Sequence, residues 1–158
     1  MTKNRYISTS IWEDEYIGEL QPSEKLLFIY LLTNTHTNIA GMYPITMRKI
    51  KFDTGLDNQT ISKAFKGFQN NSKAFFINQK YVILPNFIKH QKLNNNIKVG
   101  ILSIVNNLPI CIKQFLNIGL KAFDDFDELC KALNYSNSNS NFNTNKEEEE
   151  WKNISVRI

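Results

Sequence analysis

Residues 46–84 read TMRKIKFDTGLDNQTISKAFKGFQNNSKAFFINQKYVIL, and most of the predicted fold follows from them. From Asn58 to about Asn70, apolar residues recur at i, i+3, i+4 and i+7, the spacing of a helix with one buried face. Asp57 stands directly before this segment and is a favourable N-cap. The face expected to pack inward consists of Ile61, Ala64, Phe65 and Phe68.

A shorter helix is expected on the N-terminal side of this one. Thr46 can cap it, and it extends to about Phe52. Between the two helices lies the sequence DTGL at 53–56, a tight turn in which Gly55 can adopt a positive φ. The inward side chains of the shorter helix are Met47 and Ile50.

Two strand-like runs follow the helix pair. Residues 74–77 (AFFI) and 81–84 (YVIL) are rich in β-branched and aromatic side chains, and the polar residues 78–80 between them predict a hairpin. Two helices joined by a short turn with glycine and followed by a hairpin predict a winged helix-turn-helix. In that arrangement the second helix enters the major groove of DNA, and the hairpin is the wing.

The N-terminal segment predicts a short helix capped by Ser10, with the acids of 13–15 in its first turn. Trp12, Tyr16 and Leu20 recur at i, i+4 and i+8, so we expect them to form an inward face with a buried Trp.

A second helix and a strand are expected before residue 46. The sequence QPSE at 21–24 caps a helix whose segment 26–32 is apolar on nearly every side, which indicates the buried centre of a domain. Residues 41–45 (GMYPI) read as a short strand, and Pro44 confines it to the edge of a sheet.

Beyond the hairpin, the sequence predicts three further helices and a tail. The helices are expected at about 97–107, where Pro109 prevents continuation, at 110–120 and at 124–133. From 135 the chain is a Ser/Asn repeat followed by KEEEE, a composition typical of disorder. The fold class is therefore mainly α with a small β-hairpin: a winged helix-turn-helix at 1–96, a helical extension at 97–134 and a disordered tail at 135–158.

The formal net charge of +4 is unevenly distributed. Residues 40–96 carry nine Lys/Arg against Asp53 and Asp57, the electrostatic pattern of a protein that binds a polyanion. Cys111 and Cys130 are far from each other and from both histidines, so neither a metal site nor a cofactor is indicated. Because neither a signal peptide nor a membrane-spanning apolar run is evident, we expect a protein of the bacterial host cytoplasm, associated with the nucleoid and not with a membrane.

The residues expected to contact DNA are polar or basic. Asn and Gln bind adenine through two hydrogen bonds, Lys reaches guanine or phosphate, and Ser serves either. Any solvated helix face carries such residues, but here that face coincides with the charge maximum. On the second helix they are Asn58, Gln59, Thr60, Ser62, Lys63 and Lys66. On the preceding helix and around the wing they are Arg48, Lys49, Lys51, Lys73, Lys80 and Lys89.

Three stretches resemble a known family: ISTSIWEDEYIGELQPSEKLLFIYLLTNTHTNIAGMYPI at 7–45, DTGLDNQTISKAFKGF at 53–68 and ILPNFIKHQ at 83–91. They are similar to the N-terminal domain of phage replication organiser proteins, relatives of the DnaD primosome proteins, over about residues 5–108. The resemblance implies a winged helix that recognises double-stranded DNA, often at a replication origin. Nothing after Trp151 resembles the second, helicase-loading domain of that family, so the chain is either a stand-alone relative or truncated.

Other functions are weighed against this one. A transcriptional regulator would use the same winged helix at a promoter. A winged helix can also be a protein-interaction or inhibitor module, which would show more exposed apolar residues. An enzyme is not indicated, because neither a phosphate-binding loop nor a nucleophile motif is present and His36 and His90 lack obvious partners. The expected partner is therefore double-stranded DNA, with replication proteins and a second copy of the chain as further candidates.

Overall fold

Side chains cap the main helices at their N-termini. In the computed structural model, which describes residues 7–90 and 94–119, Thr46, Asp57 and Asn94 each accept a hydrogen bond from a backbone N–H of the helix that follows. These bonds satisfy donors that have no partner inside the helix, so each helix begins at a defined residue. The caps at Thr46 and Asp57 confirm two of the sequence predictions.

The described residues are mostly helical, with a small three-stranded antiparallel sheet. The helices are α1 (Glu15–Glu19), α2 (Pro22–Thr33), α3 (Met47–Thr54), α4 (Asn58–Asn70), α5 (Asn95–Asn106) and α6 (Ile110–Gly119). The strands are β1 (Met42–Pro44), β2 (Phe75–Ile77) and β3 (Tyr81–Ile83), and 3₁₀ helices cover Thr9–Glu13 and Pro85–His90. Among the described residues, those up to Lys113 belong to one compact unit and those from Gln114 to Gly119 to a second.

The sheet has the order β1-β3-β2, so β1 lies at an edge. Met42 pairs with Ile83 across β1 and β3, and Phe75 pairs with Ile83 from the other side. The position of Pro44 in an edge strand agrees with the prediction, because proline lacks the N–H that a central strand requires.

Gly55 ends α3 in the left-handed conformation, with φ at 72°, as the sequence predicted. Only glycine adopts this conformation without strain, and it allows the chain to turn within three residues into α4. The turn residues therefore end one helix and position the start of the next.

The core lies between α2, α4 and the sheet. The predicted stripe of α4 is buried in full: Ile61, Ala64, Phe65 and Phe68. Phe65 stacks on Phe76 with ring centroids 4.7 Å apart, and Phe28 of α2 meets Phe68 edge to face at 5.4 Å. These aromatic contacts join α4 to both of its neighbours.

The N-terminal prediction was wrong in two respects. Ser8, not Ser10, caps the first segment, which is a 3₁₀ helix, and Asp14 caps α1 separately. Because the backbone of Asp14 is extended, Trp12 does not share a helical face with Tyr16 and Leu20. Trp12 is 65% exposed, whereas the other two pack partly against the core.

Smaller differences concern helix α2, helix α5 and the C-terminal predictions. In α2 only Leu27 and Leu31 are fully buried, and Leu26 is 47% exposed, so one stripe of this apolar helix is covered. The α5 helix begins two residues earlier than predicted, because the Asn94 side chain accepts a hydrogen bond from Ile97 N–H at 2.9 Å.

The helix predicted at 124–133 and the tail at 135–158 lie outside the described residues, and the domain boundaries at 96 and 134 stay predictions.

Candidate nucleic-acid interface

Helix α4 presents opposite faces to the core and to solvent. Its apolar stripe is buried, and on the other side Gln59, Lys63 and Lys66 are exposed, while Ser62 is half-buried. Asn58 is exposed at the first position of the helix, in line with the stripe. The first turn of the helix thus presents amide groups, and the next two turns present ammonium groups. This order places hydrogen-bonding groups ahead of positive charge along one helix face.

The start of α4 is held by Asp57. Its carboxylate accepts hydrogen bonds from the backbone N–H of Thr60 at 2.9 Å and from the Thr60 hydroxyl at 2.8 Å. These bonds, led by the one from the backbone N–H, hold the pKa of Asp57 below its ordinary value. The Thr60 hydroxyl, a predicted DNA contact, is thereby engaged in the helix cap.

Asp53 joins α3 to α2. Its carboxylate accepts hydrogen bonds from Lys49 Nζ at 2.8 Å and from the Tyr30 hydroxyl at 2.7 Å. The bond from Lys49 is the main reason that the pKa of Asp53 is lowered. The pKa of Tyr30 is raised, first because the phenol is partly buried and then because it donates a hydrogen bond to Asp53. Lys49, another predicted contact, therefore has an acidic partner within its own helix.

Five basic residues remain exposed on α3, on α4 and at the end of the hairpin loop. They make no ion pair with any residue in 7–90 or 94–119, where the only salt bridge joins Lys49 to Asp53. Unpaired ammonium and guanidinium groups are available to an anionic partner. The five are Arg48, Lys51, Lys63, Lys66 and Lys80.

The hairpin between β2 and β3 has a tight three-residue connection. Asn78 and Gln79 adopt positive φ values of 51° and 52°, and Lys80 N–H donates to the Ile77 carbonyl at 3.0 Å. The loop side chains of Asn78, Gln79 and Lys80 are all exposed. The hairpin is short, so only these three residues project from its tip.

Lys73 and Lys89 are the remaining predicted contacts, and Lys73 lies away from the N-terminus of α4. Lys73 follows the C-terminus of the 13-residue helix, about 20 Å from Asn58 along its axis. The Lys73 ammonium lies over the Tyr16 ring, 4.6 Å from its centroid. Lys89 is exposed in the 3₁₀ helix that follows β3.

Sequence reasoning missed the exposure of Phe52. This side chain is 83% exposed on α3, next to Lys51, and Lys49 Nζ lies 5.8 Å from its ring centroid. Met47 and Ile50 define the inward face of α3, and the helical period places Phe52 off that face. The spacing of these three residues in the sequence therefore already indicated that Phe52 is exposed.

Comparison of the chain with protein-family models, curated proteins and solved structures finds no match.

In the part of the chain that the structure describes, no three His, Cys, Asp or Glu residues form a group that could hold a metal ion. Over the same residues no single helix is long and apolar enough to cross a membrane. One pair of described helices, α5 and the start of α6, reaches that length and composition together, but the pair is bent.

Proposed function

We propose that residues 7–90 form a winged helix-turn-helix that binds double-stranded DNA sequence-specifically. In this proposal α3 and α4 are the helix-turn-helix, α4 is the recognition helix, and the β2–β3 hairpin is the wing. The single observation that carries the proposal is the face of α4 opposite its buried stripe, where the amide of Gln59 precedes two lysines that make no ion pair among the described residues.

The chemistry of this face suits the major groove. Asn58 and Gln59 can each pair with an adenine edge through a donor and an acceptor, and they lie in the first turn, the part of a recognition helix that reaches bases. Lys63 and Lys66 lie further along the helix and meet phosphates. Arg48 and Lys51 on α3 and Lys80 at the wing extend the positive surface to both sides.

A role in the initiation of phage or mobile-element DNA replication rests on the family resemblance at 7–45, 53–68 and 83–91. A transcriptional regulator would show the same geometry and differ only in its DNA site. Selection of bound duplexes from a random library, followed by mapping of the recovered site to an origin or a promoter, distinguishes these two functions.

A second candidate is a winged helix that binds another protein. The observation in its favour is Phe52, since an exposed aromatic residue beside basic ones is typical of a protein interface. If Phe52→Ala abolishes a protein interaction while the affinity for DNA is unchanged, the two activities use different residues of α3.

The test of DNA binding is fluorescence anisotropy with a labelled duplex over a range of salt concentrations. Five phosphate contacts predict a log–log slope of about −4.5, because each contact contributes about −0.9. The double variant Lys63→Gln/Lys66→Gln should reduce the slope by about two units, whereas Lys98→Gln on α5 should leave it unchanged. A wild-type slope near zero, or an equal effect of the control, would contradict the proposal.

A further inference from the structure

A cavity of about 260 Å³ lies in the 1–113 unit and belongs to none of the surfaces described above. Its walls come from the segment 7–17, from α2, from Lys73 and from the segment 84–90. Of the residues that the sequence predicts to contact DNA, Lys73 alone lines it. Most of the wall is apolar, with contributions from Ile7, Ile11, Ile17, Phe28, Leu32 and Phe87.

Two hydrogen-bond donors interrupt this apolar wall. The hydroxyl of Tyr16 is buried and has no hydrogen-bond partner among the residues that the structure describes. Lys73, which also lines the cavity, holds its ammonium 4.6 Å from the centroid of the same ring. A buried hydroxyl without a partner costs stability, and a molecule bound in the cavity would supply the missing acceptor.

The cavity wall also carries acceptors, and some of them are engaged within the protein. Asp14 accepts a hydrogen bond from Ile17 N–H at 3.2 Å, and the hydroxyls of Ser8 and Ser10 bond to each other at 2.7 Å. Burial, with the nearby carboxylates of Glu24 and Asp14, raises the pKa of Tyr16 to about 12, so its phenol remains a donor at neutral pH. The cavity therefore offers two donors and the positive charge of Lys73, beside the negative charge of Asp14, to an occupant that carries acceptors.

The volume limits the occupant to a small molecule. A cavity of about 150 Å³ holds one benzene, so 260 Å³ holds one ring with a short side chain. Apolar walls suit the ring, and the two donors suit a carboxylate. We propose that this cavity binds a small aryl-alkyl carboxylate, with its ring among the apolar side chains and its carboxylate between the Tyr16 hydroxyl and the Lys73 ammonium.

The test is titration of the full chain with hydrocinnamate and, separately, with hydrocinnamide, which has the same shape and no charge. Isothermal calorimetry should show that the acid binds at least about tenfold more tightly than the amide, because a charge-assisted contact is lost. Lys73→Gln should weaken the acid about tenfold and leave the amide unchanged. Lys98→Gln, which removes a lysine outside both the cavity and the proposed DNA surface, should bind both ligands as the wild type does.

Tyr16→Phe supplies a second readout. It should weaken binding of the acid about fivefold without lowering the melting temperature, because the hydroxyl it removes has no partner within the protein. Equal affinity of acid and amide, or no binding of either at about 10 mM, would overturn the proposal, and this comparison needs only the wild-type chain. Retention of full acid affinity by folded Lys73→Gln would overturn it as well.

Discussion

Two phenylalanines on adjacent helices should respond oppositely to removal of their rings. Phe65 of α4 is 4% exposed, and its ring stacks on Phe76 at 4.7 Å and meets Phe68 edge to face at 6.1 Å. Phe52 of α3 is 83% exposed. The same substitution to Ala therefore removes a buried side chain in one case and a solvated one in the other.

The magnitudes follow from burial and ring contacts. Truncation of a buried Phe costs about 3–5 kcal/mol, and the two aromatic contacts of Phe65 place it near the upper end of that range. Phe65→Leu keeps most of the volume and should cost about 1–2 kcal/mol. Phe52→Ala should change stability by no more than about 0.5 kcal/mol, as surface substitutions do.

Urea denaturation followed by circular dichroism measures these free energies of unfolding. With a slope of about 1.5 kcal/mol per molar urea, a loss of 4–5 kcal/mol lowers the midpoint by roughly 3 M. The order of stability should be wild type equal to Phe52→Ala, then Phe65→Leu, then Phe65→Ala. If Phe65→Ala lost less than about 1 kcal/mol, or if Phe52→Ala lost as much, the assignment of the two faces would be refuted.

Three further outcomes are expected. Gln59→Ala and Ser62→Ala should each cost about 1–3 kcal/mol of affinity for the selected DNA site, measured by fluorescence anisotropy, and leave the affinity for random duplexes unchanged. Equal losses of affinity on both duplexes would mean that α4 does not read bases. In thermal melts Gly55→Ala should cost about 1 kcal/mol through its positive φ alone, and Gly41→Ala should cost more, because an added Cβ there lies 2.5 Å from a side-chain carbon. The lowered pKa of Asp57 stabilises the folded chain fully above the ordinary carboxyl pKa of 3.8, and this stabilisation is lost as the pH falls through the lowered pKa of the folded state. Asp57→Asn should therefore make the free energy of unfolding less dependent on pH in acid, and an unchanged dependence would contradict this.

Local signals explain why the middle of the chain was predictable. In α4 a cap, a four-residue apolar stripe and a preceding glycine all indicate the same helix, and its observed bounds match the predicted ones. The pattern at Trp12, Tyr16 and Leu20 had the same spacing without that agreement. Asp14, at its centre, is a strong N-cap, and a cap inside a periodic pattern begins a new helix. Periodicity that spans an internal cap is therefore a weaker signal than periodicity that follows one.

Contacts between distant segments explain what the sequence did not reveal. The closed hairpin leaves one free edge on β2 and one on β3, so its local sequence does not determine that β1 pairs with β3. The cavity beside Tyr16 depends on residues from four separate segments, none of which carries a local motif. Gly41 has a φ of 66° beside Phe87, a close approach between residues far apart in sequence.

The two acids of the 40–96 block illustrate how local bonding changes a charge count. Asp53 is held by Lys49 and Tyr30, so it compensates one lysine of the block within the same helix. Asp57 faces the N-terminus of α4, where the helix dipole compensates a negative charge. Neither carboxylate weakens the outer face of α4 as an unpaired acid would.

This local pairing has a measurable consequence for DNA binding. A contact at every one of the nine basic residues of the block would give a salt slope of about −8, since each phosphate contact contributes about −0.9. Lys49 is paired with Asp53, and Lys73 lies over Tyr16 beyond the C-terminus of α4, so neither is counted among the phosphate contacts. The five exposed and unpaired residues of α3, α4 and the hairpin loop give about −4.5. Adding Lys49 and Lys73 to these five would give about −6.3. A slope near −6.3 would show that Lys49 and Lys73 leave their partners on binding, and Asp53→Asn should then strengthen binding to random DNA. With a slope near −4.5, the same substitution should leave the slope unchanged.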